Sequence, residues 1–533
     1  MNRKKLALLT CFLSLATVAS GKNLTLEERV EYLEKMLEQQ ISRNQMLEEK
    51  LNSTLEKEKK EEKVLLVQLD GEDAEKVKKD AEEAKVQQAQ IENRLSKLEK
   101  EADQWELHGY ASLQYRSTDD WSSSSSTFGK GDFFLGIPGT GESSNQVELV
   151  AKRKFEGKNG VFGDLNLRAE YGNGDSYYYS SSGKEHDNGV ANFEVKEAFI
   201  NMGGFSYLPE NSTIWAGRRF LNRNSTSLSG EFYKQSSGVG FGYERNGLSL
   251  AVVGVDPGAE DGKQKSTLPD GNGRRTVTAL DFNYAGIKVP GGSLDIGAKY
   301  YFQLNAHEMT SNWHYNDKEQ PDSDNNKNYL NEVERRKNFA KDGFGLGVVY
   351  NTNYYGFDGF ASHSINYGYG IGAHATGGMN FGQWTDEAVK DAYVTLLTSG
   401  GMLNLNDKWQ VMTEMSVMHG DKLYGLSGNL TRAGFSVQPS YKVNDNFRMV
   451  FGATYGVQHI ENYEKHWGAE EATQQRFALS IAPTFTADSD FFGRPQIQPY
   501  VTWLRTNFEN GFGGDLKKEN SQVIFGVKSE VWF

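Results

Sequence analysis

The chain has 533 residues, a formal charge of −13, only 37% hydrophobic residues and a mean hydropathy of −0.63, yet 12% aromatics and 57 glycines. That acidity speaks against nucleic acid as a partner, and 26 Tyr with 30 Phe are too many for a disordered chain. Low hydropathy with abundant Tyr, Phe and Gly suits strands that are wet on one face.

The first 21 residues have a basic head (Arg3, Lys4, Lys5), an apolar run from Leu6 to Val18 and small residues from Ala19 to Gly21. These are the proportions of a secretory signal peptide. Its removal lowers the formal charge from −13 to −16 and takes away Cys11, the single cysteine, so no disulfide is expected. No later apolar run is long enough for a membrane helix, and a membrane-embedded chain of this kind would have to be a β-barrel.

Residues 22–104 are rich in Glu, Lys, Gln, Leu and Ala. Val30, Leu37, Asn44, Leu51 and Leu65 share one heptad position, and Leu26, Leu33, Gln40 and Leu47 share its partner. After a slip near Leu69 to Asp73, a second run follows through Val77, Ala84, Ile91 and Leu98. This seam predicts a coiled coil and self-association, with a homotrimer as the expected count.

From Leu107 the period changes to two. Leu107, Gly109, Ala111, Leu113 and Tyr115 oppose His108, Tyr110, Ser112, Gln114 and Arg116. Leu165, Leu167, Ala169 and Tyr171 oppose Asp164, Asn166, Arg168 and Glu170, and the last strand sets Val523, Phe525, Val527, Val531 and Phe533 against Gln522, Lys528, Glu530 and Trp532. Alternation alone leaves a sandwich open. Tight turns at Asn406-Asp407, Asn444-Asp445 and Ala487 to Asp490 alternate with long polar connections such as His419 to Thr431 and Gly456 to Gln475, and Gln303 to Asp342 reads as a larger loop. Short turns at one end and long loops at the other predict an antiparallel transmembrane barrel over residues 105–533. Turns about 40 residues apart give about sixteen to twenty strands. Tyr115, Tyr171 and Trp503 fall on the apolar face, where interface aromatics belong.

Nothing resembles catalytic chemistry: the histidines are scattered, and neither a zinc-like motif nor a nucleophile elbow or phosphate loop is present. No enzyme activity, cofactor or metal is expected. A sugar presents apolar C–H faces rimmed by hydroxyls, so a channel for it needs aromatic rings and charged hydrogen-bonding groups. Tyr110, Tyr233, Phe344 and Trp532 are the candidate rings; Glu148, Lys196, Arg223 and Glu231 are the candidate polar track. A generic water-filled pore also needs a polar lining, and that alternative stays open.

HGYA (His108 to Ala111), VEL (Val147 to Leu149), STIWAGRRF (Ser212 to Phe220), TGG (Thr376 to Gly378), GRP (Gly493 to Pro495) and the terminal EVWF (Glu530 to Phe533) together resemble the maltoporin-like, sugar-specific porins of the bacterial outer membrane. LTLEERVEYLEKML (Leu24 to Leu37) is similar to the periplasmic extension of members that take sucrose or aryl-β-glucosides. The resemblance implies an 18-stranded barrel, a homotrimer and a third loop folded inward over about Phe220 to Tyr233. It also implies an aromatic slide onto which Tyr110, Tyr233 and Trp532 map, Phe344 less directly, and a polar track through Glu148, Lys196, Arg223 and Glu231. Ser112 and Gln146 stand where the maltose type has an arginine and a slide tyrosine, and Trp is missing near Asp187 to Phe193 and Arg432 to Phe435. A shorter slide points to di- or trisaccharides or glucosides. The expected partners are sugar solutes, outer-membrane lipid and two further copies of the chain. Whether the coiled coil also meets the cell wall or a periplasmic partner is open. A nonspecific diffusion pore and a trimeric surface adhesin are the alternatives; the adhesin would need its large binding region beyond the stalk, whereas here the stalk comes first.

Overall fold

The computed structural model describes residues 104–119, 136–140, 146–172, 192–230, 232–255, 277–303, 340–373, 390–423, 429–463, 469–507 and 520–533. The signal segment and almost all of the predicted coiled coil lie outside them. Residues from Leu107 to Phe533 form one compact unit.

In chain order the strands are β1 (Trp105–Thr118), β2 (Gln146–Glu156), β3 (Phe162–Gly172), β4 (Asn192–Gly203), β5 (Ser212–Leu221), β6 (Asn224–Ser225), β7 (Phe232–Tyr233), β8 (Ser236–Arg245), β9 (Leu248–Val255) and β10 (Val277–Val289). They continue as β11 (Gly292–Gln303), β12 (Asp342–Tyr354), β13 (Phe357–Gly370), β14 (Tyr393–Asn404), β15 (Trp409–Asp421), β16 (Asn429–Asn444), β17 (Phe447–Tyr463), β18 (Ala469–Thr486), β19 (Gln496–Thr506) and β20 (Asn520–Trp532). All but β6 and β7 form one 18-stranded antiparallel sheet in which each strand pairs with its sequence neighbours. It closes where β1 meets β20, with Tyr110 opposite Trp532 and Tyr115 opposite Val527. Backbone hydrogen bonds of 3.0 Å in both directions between Gly109 and Phe533 finish the seam. Closure removes the two unpaired edges that an open sheet would carry.

The turns form at one end because Asn and Asp side chains there fold back on the backbone. Asn406 Oδ1 accepts from the amides of Lys408 and Trp409, Asn444 Oδ1 from that of Asn446, and Asp488 Oδ1 from that of Asp490, all at 2.9 Å. These are the turns the sequence singles out.

Alternation assigns the two faces. Phe241 (62% exposed), Tyr115, Tyr171, Ile214, Leu250, Phe435 and Val501 point outward, giving the apolar surface that lipid requires. Gln458, Arg448, Gln474, Thr484, Thr502 and Glu530 point inward and are buried. Polar side chains are buried there partly because connecting segments fold into the lumen. Ile137, between β1 and β2, joins Val450, Ala478, Ala482, Tyr500, Leu504 and Ile524 in one apolar cluster inside the barrel.

Candidate functional site

The stretch between β5 and β8 leaves the wall at Asn222 and returns at Ser236. Its two legs pair as a small ribbon, Asn224 with Tyr233 and Ser225 with Phe232. Both legs are tied to one buried carboxylate on β10: Asn222 Nδ2 donates to Asp281 Oδ1 at 2.9 Å, and Ser236 Oγ donates to Asp281 Oδ2. Lys299 of β11 completes the mount. Its ammonium is 3.3 Å from Asp281 and donates to the carbonyls of Lys234 and Gln235 and to Ser236 Oγ, each at 2.8 Å. A buried Asp–Lys pair with these hydrogen bonds has its desolvation offset by geometry, and removing either partner would strand the other. The far tip, Leu228 and Ser229, reaches β15, where Glu414 accepts from both amides and from Ser229 Oγ. The loop therefore crosses the lumen from the β10–β11 wall to the β15 wall.

Four of the eight expected residues lie on the inner wall and one is fixed in the loop. On β1 and β20, Tyr110 and Trp532 are direct cross-strand partners on the inner face, at the end of the barrel where the turns lie. Tyr110 Oη donates to Glu530 Oε1 at 3.0 Å. Glu530 also accepts from Arg494 Nε (2.7 Å), Lys528 Nζ (2.9 Å) and Gln496 Nε2 (3.0 Å). Arg494 lies 4.2 Å from the centre of the Trp532 ring, covering one face and leaving an indole that is 42% exposed. This cation–π contact fixes the ring as a flat platform.

Glu148 and Lys196 join an ion ladder. Arg168 bridges Glu148 (3.3 Å) and Glu197 (2.8 Å), and Lys196 Nζ is 3.5 Å from Glu170. Lys196 and its neighbour Glu197 both face inward because β4 carries a bulge. Glu197 opposes Arg168 and Val195 opposes Ala169, leaving Lys196 as the extra residue. Glu197 also accepts from the Phe220 amide at 2.9 Å, tying the ladder to the end of β5. Arg223 is held between the rings of Phe220 (5.2 Å) and Phe232 (4.4 Å).

The remaining three differ from expectation or lie beyond description. Tyr233 is in the inner loop but only 3% exposed, a member of one buried apolar cluster that also includes Val349, Leu396, Met418, Leu430 and Ile460, and burial raises its phenol pKa. It anchors the loop and presents no open face. Phe344 points outward: it pairs with Tyr300 and packs on Tyr367 and Tyr369 at 5.9 and 5.5 Å, while the nearest inward positions of its strand, 343, 345 and 347, are glycines. The inward position beside it, Gly343, has no room for a side chain, because a Cβ there would come within 2.4 Å of the Ile371 nitrogen. Glu231 lies outside the described residues.

Arg168, Glu170, Glu530 and Arg494 were not among the expected site residues. Their inward alternation marks the first three in the sequence; Arg494 carries no such mark, because it sits in a connection. Glu414, Asp281 and Lys299 also face inward, but nothing local in the sequence indicates that all three meet the loop.

A closed, even-numbered antiparallel barrel with an apolar exterior, a polar interior and a loop pinned across the lumen is the architecture of an outer-membrane porin. The chain belongs to the LamB porin family, whose model matches residues 106–533. Maltoporin of Vibrio cholerae serotype O1 is 22% identical over 436 residues, covering 75% of this chain and 92% of that protein. Maltoporin of Hahella chejuensis is 23% identical over 418 residues, covering 74% and 90%. Among solved structures, Pseudomonas aeruginosa OccD3 (OpdP) matches at 12% identity with a TM-score of 0.41, over 80% of this chain and 91% of that one.

Proposed function

We propose that the chain is a passive channel for small sugars across the bacterial outer membrane, working as a homotrimer with residues 22–104 as a periplasmic coiled coil. The observation that carries this reading is the pairing of an exposed, cation-backed Trp532 with Tyr110 beside Glu530 and Arg494. A ring with one open face binds the C–H side of a sugar, while carboxylate and guanidinium exchange hydrogen bonds with its hydroxyls. The Glu148–Arg168–Glu197 ladder continues the polar track toward the inner loop, where Arg223 stands fixed between two rings. Membership of the LamB porin family and relatives named maltoporin support the sugar class.

The slide is short. With Tyr233 buried and Phe344 outward, two of the four expected rings remain available, which favours weak binding of di- or trisaccharides or glucosides over long maltodextrins. The same shortage supports the alternative of a nonspecific diffusion pore. Weak binding at few sites is also what lets a solute enter and leave without energy input. Liposome swelling decides between the two readings. A sugar channel admits sucrose, maltotriose, cellobiose or an aryl-β-glucoside faster than size alone predicts and saturably; rates that follow size for every solute support the nonspecific pore.

A further inference from the structure

We infer that Glu414 is the positioning residue of the constriction: it holds the loop tip at the wall and thereby sets the aperture. Glu414 is 2% exposed on β15, and its carboxylate takes the Leu228 amide, the Ser229 amide (3.1 Å) and Ser229 Oγ. Hydrogen bonds to an ionised acceptor are about twice as strong as neutral ones. Chain segments 185 residues apart are joined here.

The tip is also braced from its other side. Gly136, in the segment between β1 and β2, lies so close that a Cβ would sit 2.2 Å from the Leu228 carbonyl carbon and 2.4 Å from the Ser229 nitrogen. That segment is itself fixed, with Thr502 Oγ1 donating to the Pro138 carbonyl at 2.6 Å and Ile137 buried in the apolar cluster inside the barrel. The tip is thus clamped between a carboxylate on the wall and a glycine on an inserted segment. A change on either side has to act through the same two residues, Leu228 and Ser229.

The effect of this clamp on sugar selection rests on the sugar-channel reading; its effect on the loop does not. Open-channel current noise in a planar bilayer reports tip motion, and half-blocking sugar concentration reports the site. Glu414→Ala is expected to shift the docked-to-undocked ratio of the tip by about 10- to 100-fold, raising current noise and weakening any sugar block. Glu414→Gln, which keeps an acceptor oxygen, should fall between it and the wild type. Gly136→Ala should also raise the noise. The double variant Gly136→Ala with Glu414→Ala should be little noisier than the worse single variant, because both act on one element. A folded Glu414→Ala channel as quiet as the wild type would overturn the assignment, and so would additive effects in the double variant. If Glu414→Ala does not fold, Glu414→Gln and Gly136→Ala decide: added noise in both supports the clamp, and quiet channels in either overturn it. A wild-type channel indifferent to every sugar would refute the sugar reading while leaving the noise comparison intact.

Discussion

Lys234 sits at the returning leg of the inner loop, 1% exposed, in a left-handed conformation (φ 59°), with no hydrogen-bond partner for Nζ among the described residues. Burial, aided by Lys299 and opposed by Asp295 and Asp281, lowers its pKa from 10.5 to about 8. Between those values the unfolded chain holds the extra proton, so stability rises with pH across the window, and the full cost of the buried charge is present below pH 8. The urea midpoint of the reconstituted barrel should therefore rise from about pH 8 to about pH 10. Lys234→Met should reduce that rise, and an equal rise in the variant would contradict the assignment. Trp532 makes the other residue-scale prediction. Stacking on a ring contributes about 0.5–1.5 kcal/mol, so Trp532→Ala should raise the half-blocking sugar concentration by about two- to tenfold. An unchanged value would remove the indole from the binding surface.

At the scale of elements, the bulge in β4 is the most instructive. Deleting Lys196 leaves Val195 outward and Glu197 inward, as the flanking pairs with Ala169 and Arg168 require, so the strand becomes regular without turning over. The deletion removes one inward cation and its ion pair with Glu170. The lumen becomes more negative, and the reversal potential in a KCl gradient should move toward cation selectivity. A potential that does not move would place Lys196 outside the ion path. The one mark of this bulge in NFEVKEAFINMG is the pair of consecutive polar residues Lys196 and Glu197, which breaks the alternation without a glycine to fix which residue is the extra one. Phe344 was misread for a related reason. In GFGLGVVY the small residues carry no polarity, so the pattern shows two faces without saying which is inner. The turns at Asn406, Asn444 and Asp488 were legible because Asx chemistry is local and acts within three residues. Glu414 was legible as inward but not as a clamp, since its partners are 185 residues away in the chain.

For the whole molecule, closure and facing are the strongest constraints. Eighteen strands leave an aqueous lumen rather than a packed core, and the inserted segments narrow it. The exterior is consequently the part least tolerant of charge. Phe241→Arg, on a residue 62% exposed to the outside, should cost about 2–4 kcal/mol if it lies near the bilayer midplane, read from urea unfolding in lipid vesicles. A neutral effect would mean that this face does not meet hydrocarbon. A range of about sixteen to twenty strands, the end bearing the tight turns and the outward aromatics could be anticipated from a period of two and from turn spacing. The long connections expected from His419 to Thr431 and from Gly456 to Gln475 are, taken together, mostly strand, since β15 runs to Asp421, β16 starts at Asn429, β17 runs to Tyr463 and β18 starts at Ala469. The division of labour within the inner loop could not be anticipated. Tyr233 is buried in an apolar cluster and Arg223 lies between the rings of Phe220 and Phe232, although they are only ten residues apart.

The most direct test of a sugar-binding lumen is single-channel conductance of the full chain in a planar bilayer, titrated with sucrose, maltotriose, cellobiose and an aryl-β-glucoside. Saturable block by at least one of them, weakened by Tyr110→Ala or Trp532→Ala, is the predicted result. Steady conductance untouched by every sugar would contradict it and leave a nonspecific pore.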